Sequence, residues 1–415
     1  MPGSPAFRVS VDEHAAAVRE LLAPLVERPV ETVALDAALG RVAAEALRAR
    51  FDLPRFRNSQ MDGFAVRAAD VASASADHPV ALPVVAEIPA APGTAARLEP
   101  GTAARIMTGA PVPQGADAVI PVEDTAGISA ASTAVGPVGA VAVLAPRAVG
   151  EFVREPGSEL RAGAGLAPAG RRLTSRDLGA LAAAGVAEVP VRIRVRAAVV
   201  STGSELAAVG DDPAPGAVVD ANGPALAAAL AELDVEVVHR ARVADEPDRL
   251  AAELDAARAA GAELVVTSGG ISMGEYEVVR ELLEPRGARV GSVAMQPGGP
   301  QALGAWEGVP VLAFPGNPVS SQLSLRLFLA PLLREIAGLP TAAAARAPLA
   351  APVERSPRGR RQYLRGVREP DGAVRVLGGP GSHLVATYAA AELLVVVPEE
   401  VVALPTGADV EVWEL

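Results

Sequence analysis

Arg196-Ala197-Ala198-Val199-Val200 leads directly into Ser201-Thr202-Gly203-Ser204-Glu205. An apolar run of strand length feeding a loop of Gly and hydroxyl residues reads as a strand ending in a ligand-facing turn. The pattern recurs twice. Glu263–Val266 runs into Thr267-Ser268-Gly269-Gly270, and Val309–Phe314 runs into Pro315-Gly316-Asn317-Pro318. A further strand is expected at Val235–Arg240. Helices are expected from Asn222 and Pro224, from Asp245 with Pro247 in the first turn, and from Pro318 to about Ala337. Strands alternating with helices predict a parallel sheet with helices on both faces over residues 191–336.

Outward from this unit the texture changes. Ser10 with Glu13 three residues on forms a capping box, and Ala17, Val18, Leu21, Leu22 and Leu25 follow at helical spacing. A second helix is expected over Asp36 to Arg48. From about residue 61 to 146, short β-like runs such as Val80–Ile88, Ala103–Met107 and Ala116–Val122 alternate with turn pairs such as Pro100–Gly101. These predict an inserted β module. Thr174 and Asp177 should cap a short helix ending near Gly185. Pro340 to Pro352 reads as an Ala/Pro linker, and Val353 to Leu415 as strand and turn without a helix.

Composition narrows the chemistry. The chain has 415 residues and a mass of 42.0 kDa, which at ~100–200 residues per domain predicts several domains. It has no cysteine, which excludes disulfides, thiolate metal sites and thiol catalysis. All 37 basic residues are arginine, so there is no P-loop lysine, Schiff base or lysine general base. The four histidines (His14, His78, His239 and His383) are far apart in sequence, which excludes a zincin helix. A formal net charge of −12 argues against non-specific nucleic-acid binding. No leader-like segment precedes Ser10, and the uncharged run Thr125–Pro146 is too rich in Gly, Ser and Pro to span a bilayer. A soluble cytoplasmic protein is expected.

Single residues remain ambiguous. Asp245 reads equally as a helix cap, Asp62-Gly63 as a hairpin turn, and Glu205 as a charge complementing a helix dipole. Glu275 and Glu277 read equally as a solvated face. Converging on one pocket, such acids could hold Mg²⁺. Arg355, Arg358, Arg360, Arg361, Arg365 and Arg368 crowd one stretch, where alternation around Tyr363 and Leu364 suggests a strand with arginines on one face. That face is either solvated or an oxyanion site.

Five longer motifs are more specific. They are Arg57-Asn58-Ser59-Gln60-Met61-Asp62-Gly63-Phe64-Ala65, Arg105-Ile106-Met107-Thr108-Gly109-Ala110-Pro111-Val112-Pro113 and Val200-Ser201-Thr202-Gly203-Ser204-Glu205-Leu206, then Thr267-Ser268-Gly269-Gly270-Ile271-Ser272-Met273-Gly274 and Phe314-Pro315-Gly316-Asn317-Pro318-Val319-Ser320. In order and spacing they resemble the signatures of the molybdopterin molybdenumtransferase family, to which the gephyrin E domain belongs, over roughly residues 9 to 400.

The resemblance implies a multidomain α/β plus β architecture. A discontinuous, mostly helical domain (9–50 and 147–190) would flank an inserted β domain (51–146). A molybdopterin-binding three-layer α/β domain (191–338) and a C-terminal β-barrel (345–415) would follow. It also implies an elongated homodimer whose cleft joins the α/β domain of one subunit to the inserted domain of the other. The implied reaction inserts molybdate into adenylylated molybdopterin, with release of AMP and assistance from Mg²⁺, between an upstream adenylyltransferase and downstream molybdoenzymes.

By the resemblance, Asp62, Thr108, Glu205, Asp245 and Glu277 are catalytic, with Asp245 and Glu277 on Mg²⁺. Ser201, Thr202, Gly203, Ser268, Gly269, Gly270, Ser272, Pro300, Pro315, Gly316, Asn317, Pro318 and Ser320 would bind the substrate, and Arg360 and Ser382 molybdate. Four positions depart from the family pattern. Glu277 replaces Asp, Gln296 and Gly299 replace lysines, and Glu392 replaces Asn. Two other readings compete. One is a molybdopterin adenylyltransferase, for which the extra β modules would be superfluous. The other is a non-catalytic paralogue that binds molybdopterin or scaffolds a partner.

Overall fold

The computed structural model describes residues 7–93, 97–126, 139–271, 277–341 and 343–415. A seven-stranded sheet forms its centre, in the order Phe7–Val9, Arg289–Val293, Pro300–Trp306, Val309–Phe314, Leu264–Ser268, Arg196–Thr202, Glu236–Val243. The last four strands run parallel. The sheet as a whole is mixed rather than parallel, because Pro300–Trp306 pairs antiparallel with both of its neighbours. The cause is local. Only Glu307 and Gly308 link it to Val309–Phe314, both at positive φ (45° and 86°), and a loop that short can only return the chain antiparallel.

Both faces of the sheet are buried, and the strand period distributes the core between them. Ala197, Val199, Leu264, Val266, Leu312 and Phe314 face one cluster, filled by Leu226 and Leu230 of helix Asn222–Glu232 and by the long helical stretch from Pro318 to Ala337. Ala198, Val200, Val265, Val311 and Ala313 face the other, filled by Leu250, Leu254 and Ala257 of helix Pro247–Ala259. The capping box at Ser10 and Glu13 is present. Its helix, Val11–Leu21, packs Val11 and Val18 into the first cluster, and Phe7–Val9 joins the central sheet beside Arg289–Val293. The N-terminal segment is thus part of the α/β unit, not of a separate helical domain.

The expected helix over Asp36–Arg48 is absent. Leu35–Ala37 is a single 3₁₀ turn, Gly40 takes φ +73°, and Leu47–Arg48 pairs with Gly165–Ala167. The backbone N–H groups of Gly40 and Ala43 donate to Leu173 and Arg171, so a second segment takes the bonds a helix would need. Residues 30–59 and 153–192 are held together by three two-stranded ladders, with Ser175–Ala183 as a helix among them. "Mostly helical" is therefore the wrong description of this region.

Six strands, from Gly63–Val66 to Ala140–Val143, make a second sheet. A third joins Met295–Gln296, Arg361–Arg368, Leu393–Val397, Asp409–Glu414 and Ala344–Pro348. Ala344–Pro348 lies inside the expected linker. It forms an edge strand, where Pro348 is tolerated. A short helix, Val385–Ala389, also interrupts the expected strand-and-turn region. Met295–Gln296 pairs with Arg361–Gln362 and so fastens the third sheet beside the open end of the central one. Among the described residues no helix is long and apolar enough to cross a membrane.

Candidate active site

The three Gly-rich loops lie side by side at the carboxyl end of the parallel strands. Gly269 donates its N–H to Phe314 O at 3.0 Å, and Gly203 donates to Val243 O at 3.0 Å. Gly269 has φ +99°, and a Cβ there would sit 2.4 Å from the Thr202 carbonyl oxygen, so the approach of the loops requires glycine. Asn222 ties the loops together. Its Nδ2 donates to Ser268 Oγ at 2.6 Å and to Gly316 O at 2.7 Å.

Between the loops and the third sheet opens a pocket of about 1150 Å³. It brings together most of the residues the motifs suggested. Thr202, Gly203, Glu205, Asp245 and Glu277 line it, as do Ser268, Gly269 and Gly270. So do Pro300, Pro315, Gly316, Asn317, Pro318 and Ser320, with Ser382 on the opposite loop. Ser201 is fully buried beneath the lining. Ser272 and Glu275 lie outside the described residues.

Asp245 is not the helix cap. Glu246 holds that position, and Asp245 Oδ2 instead accepts the Ser204 N–H at 2.9 Å while its own N–H donates to Ser204 Oγ at 3.0 Å. This reciprocal pair pins the first loop to the next strand's end. Glu205 complements no helix dipole, because a short strand, Leu206–Ala207, follows it. Glu277 stands at the N-cap of Val278–Leu283.

Several pocket residues were not foreseen. Asn222 read only as a helix start and Asp220 carried no reading, yet both line the pocket, as do Gln296, noted only as a departure from the family pattern, Pro297, Gly381 and His383. Gln296 Oε1 accepts from Gln362 Nε2 at 2.7 Å, which turns its own amide donors away from Gln362. A polar pair spanning the start of a helix, here Asp220-Ala221-Asn222, was the available signal.

The arginine cluster is not one face. Arg355, Arg358 and Arg360 are exposed on the preceding loop, and none of them lines the pocket. Within strand Arg361–Arg368, Arg361 pairs with Asp12 and Glu399. Arg368 pairs with Glu414, whereas Arg365 is wholly buried. Arg365 donates to the carbonyls of Gly379 and Gly381 and so underpins the loop carrying Ser382 and His383. Burial pushes its guanidinium below the usual value. Arg365, rather than Arg360, is the arginine the fold sets behind this wall.

Asp62 and Thr108 lie outside the pocket but together. Asp62 Oδ1 accepts both the N–H (2.6 Å) and the Oγ1 hydroxyl (2.8 Å) of Thr108. These bonds hold the Asp62 carboxyl below its usual range. Antiparallel pairing of Gly63–Val66 with Ala103–Ile106 makes the contact, so two of the long motifs form one spot. Glu392 is also placed away from the pocket, accepting the Arg368 N–H at 2.9 Å.

Four carboxylates (Glu205, Asp220, Asp245 and Glu277) line the pocket, and among the described lining residues no arginine balances them. No group of three or more His, Asp or Glu is placed to hold a metal ion among the described residues. The donor set is a group of carboxylates, a chemistry that Mg²⁺ takes one or two at a time while completing its shell with water and phosphate oxygens. It does not fit a closed all-protein metal site.

Comparison with known proteins finds relatives along the whole length of the chain. Three family models match in succession: the MoeA N-terminal region (domains I and II) over residues 9–185, a probable molybdopterin binding domain over 198–335, and the MoeA C-terminal region (domain IV) over 346–415. A Mycobacterium tuberculosis protein named molybdopterin molybdenumtransferase 2 is 40% identical, over 98% of this chain and 99% of that one. A Synechococcus elongatus molybdopterin molybdenumtransferase is 35% identical over 97% and 99%. The crystal structure of a molybdopterin biosynthesis MoeA protein from Pyrococcus horikoshii aligns with a TM-score of 0.78 and 31% identity, covering 98% of this chain and 99% of that one. With a full-length relative at that identity and the multidomain fold in common, this chain belongs to the molybdopterin molybdenumtransferase family.

Proposed function

We propose that the chain is a transferase of molybdenum cofactor biosynthesis, inserting molybdate into adenylylated molybdopterin and releasing AMP. The observation that carries this is the pocket. Three strand-end loops and a Ser-His loop enclose a space of about 1150 Å³, large enough for a dinucleotide-like substrate. Four carboxylates and no arginine line it among the described residues, which suits phosphates delivered with a divalent cation.

Each part has a role in this reading. The Ser268–Gly270 and Pro315–Pro318 loops bind the pterin and its phosphate. Asp245, held by Ser204, and Glu277 would hold Mg²⁺, which would neutralise charge on the phosphoanhydride as it is cleaved. Ser382 and His383 face the molybdate, on a loop positioned by Arg365.

Asp62 and Thr108 belong to the same account through a second copy of the chain. They are held rigidly to one another, and beside them Met107 and Val122 leave 41% and 51% of their surface exposed. We place this spot over the pocket of a partner subunit, forming a homodimer with two composite sites. Expression in a bacterial strain lacking its own insertase tests the function. Restored molybdoenzyme activity is expected, and soluble protein without restoration would remove the reading.

A further inference from the structure

The unit that carries the inserted sheet meets the α/β unit at a joint crossed twice by the chain. One crossing leaves helix Val11–Leu21 for strand Val30–Ala34, and the other leaves strand Glu188–Arg192 for strand Arg196–Thr202. Arg28 ties the crossings together. It donates to the carbonyls of Ile193 (3.2 Å) and Arg194 (2.9 Å) and pairs with Glu263 at 2.8 Å. Two adjacent crossings on their own make a hinge.

Two arginines brace it. Arg192 Nη1 donates to the carbonyls of Glu335 (3.2 Å) and Ile336 (2.7 Å), at the carboxyl end of helix Ala330–Ala337. Arg172 Nη1 donates to the Glu232 carbonyl at 3.1 Å, at the carboxyl end of helix Asn222–Glu232. The last carbonyls of a helix lack partners within it and carry the negative end of its dipole, so a cation from the neighbouring unit suits both ends. Beside Arg192 the two backbones touch. A Cβ on Gly170 would lie 2.5 Å from the Gly338 carbonyl oxygen, so this approach requires glycine. Neither arginine lines the pocket.

The braced unit reaches the Asp62–Thr108 spot without a slack segment. Strand Asn58–Ser59 pairs with Val153–Arg154, Ser59 donates its N–H to Ala110 O at 3.0 Å, and Ser59 O accepts the Gly109 N–H at 2.9 Å. Gly109 directly follows Thr108. We infer that Arg192, seconded by Arg172, is a positioning residue of the reaction: by fixing the angle of the joint, it sets where the Asp62–Thr108 spot of one copy meets the pocket of the other. The inference rests on the composite site proposed above. A displacement of about 1 Å at reacting groups can cost about a hundredfold in rate, so a brace outside the pocket can govern turnover.

The test uses the two inactive chains, Asp62→Ala and Asp245→Asn, coexpressed with different affinity tags so that mixed dimers are isolated. Their complete site takes its pocket from the Asp62→Ala chain and its Asp62 from the Asp245→Asn chain. Arg192→Ala placed on the Asp245→Asn chain should lower the regained kcat about tenfold with KM unchanged. Placed on the Asp62→Ala chain, it should change neither. A loss of stability alone would act from either chain. Arg192→Lys, which keeps a cation for the helix end, should recover part of the loss. Arg172→Ala, at an exposed residue, repeats the test with a milder variant. Equal effects from the two placements, no effect from either, or a raised KM with kcat unchanged would overturn the assignment and leave the composite site standing. Mixed dimers with no regained activity would remove the composite site and the assignment together.

Discussion

Replacing Arg365 with methionine should damage the site without unfolding the protein. The side chain is wholly buried, and its guanidinium donates to two carbonyls, with Gly381 O at 3.0 Å, while Nε has no partner. Hydrogen bonds from a charged donor contribute about 1.5–3 kcal/mol each, so two give about 3–6 kcal/mol. Against this stands the cost of holding a cation out of water, also several kcal/mol, with no salt bridge offsetting it among the described residues. Methionine fills most of the space and removes both terms. Net stability should therefore move by no more than about 2 kcal/mol, seen as a small shift in urea midpoint.

The loop has no such compensation. Once the carbonyls of Gly379 and Gly381 lose their donor, the main remaining tether is the Val319 N–H on Ser382 O at 3.0 Å. Ser382 and His383 would be held less firmly. An ordering cost of about 1.4 kcal/mol raises the half-saturating molybdate concentration about tenfold. Molybdate titrations of AMP release, beside urea denaturation, measure both. Arg360→Ala is the control and should leave molybdate dependence unchanged, since Arg360 is exposed and lines no part of the pocket. Unchanged molybdate dependence in Arg365→Met, or a stability loss well beyond 4 kcal/mol, would refute the reasoning.

Three further outcomes are expected. Asp62→Ala and Asp245→Asn should each be inactive alone, whereas coexpressed they should regain up to about a quarter of wild-type activity if a cleft joins two copies; no regain would remove the composite site. Gly63→Ala should prevent soluble folding, or cost about 3 kcal/mol or more, because its Cβ would lie 1.9 Å from the Ile120 carbonyl oxygen. His14, packed edge-on to Phe328 at 4.5 Å, is pushed down to about 4 by burial and by Arg289. The unfolded chain then binds the extra proton below pH 6.5, so stability should fall by about 3 kcal/mol as pH drops from 6.5 towards 4, and His14→Gln should flatten that slope in thermal melts.

What could be read beforehand follows from where the physics is local. A capping box needs four residues, and Ser10 with Glu13 is one. A β run entering a Gly-rich loop needs ten, and all three such loops meet at the pocket. Features decided by distant partners were not legible. Asp36–Arg48 has good helical composition, but Gly40 and a ladder to the 165–173 segment draw it away. Ala344–Pro348 becomes a strand only because Asp409–Glu414 is there to pair with it. Arg360 and Arg365 are indistinguishable by residue type, and only the packed sheet buries one and exposes the other. Asn222 was hidden by its resemblance to an ordinary helix start, and Asp220 beside it shows its place only through its bonds to the Asn222 and Gly223 N–H groups.

The central claim is tested most directly by mixing the purified chain with adenylylated molybdopterin and Mg²⁺, with and without molybdate, and following AMP. The account predicts AMP release that depends on molybdate and yields a cofactor able to activate a molybdenum-free apoenzyme. Tight binding of the substrate with no AMP release under either condition would contradict it.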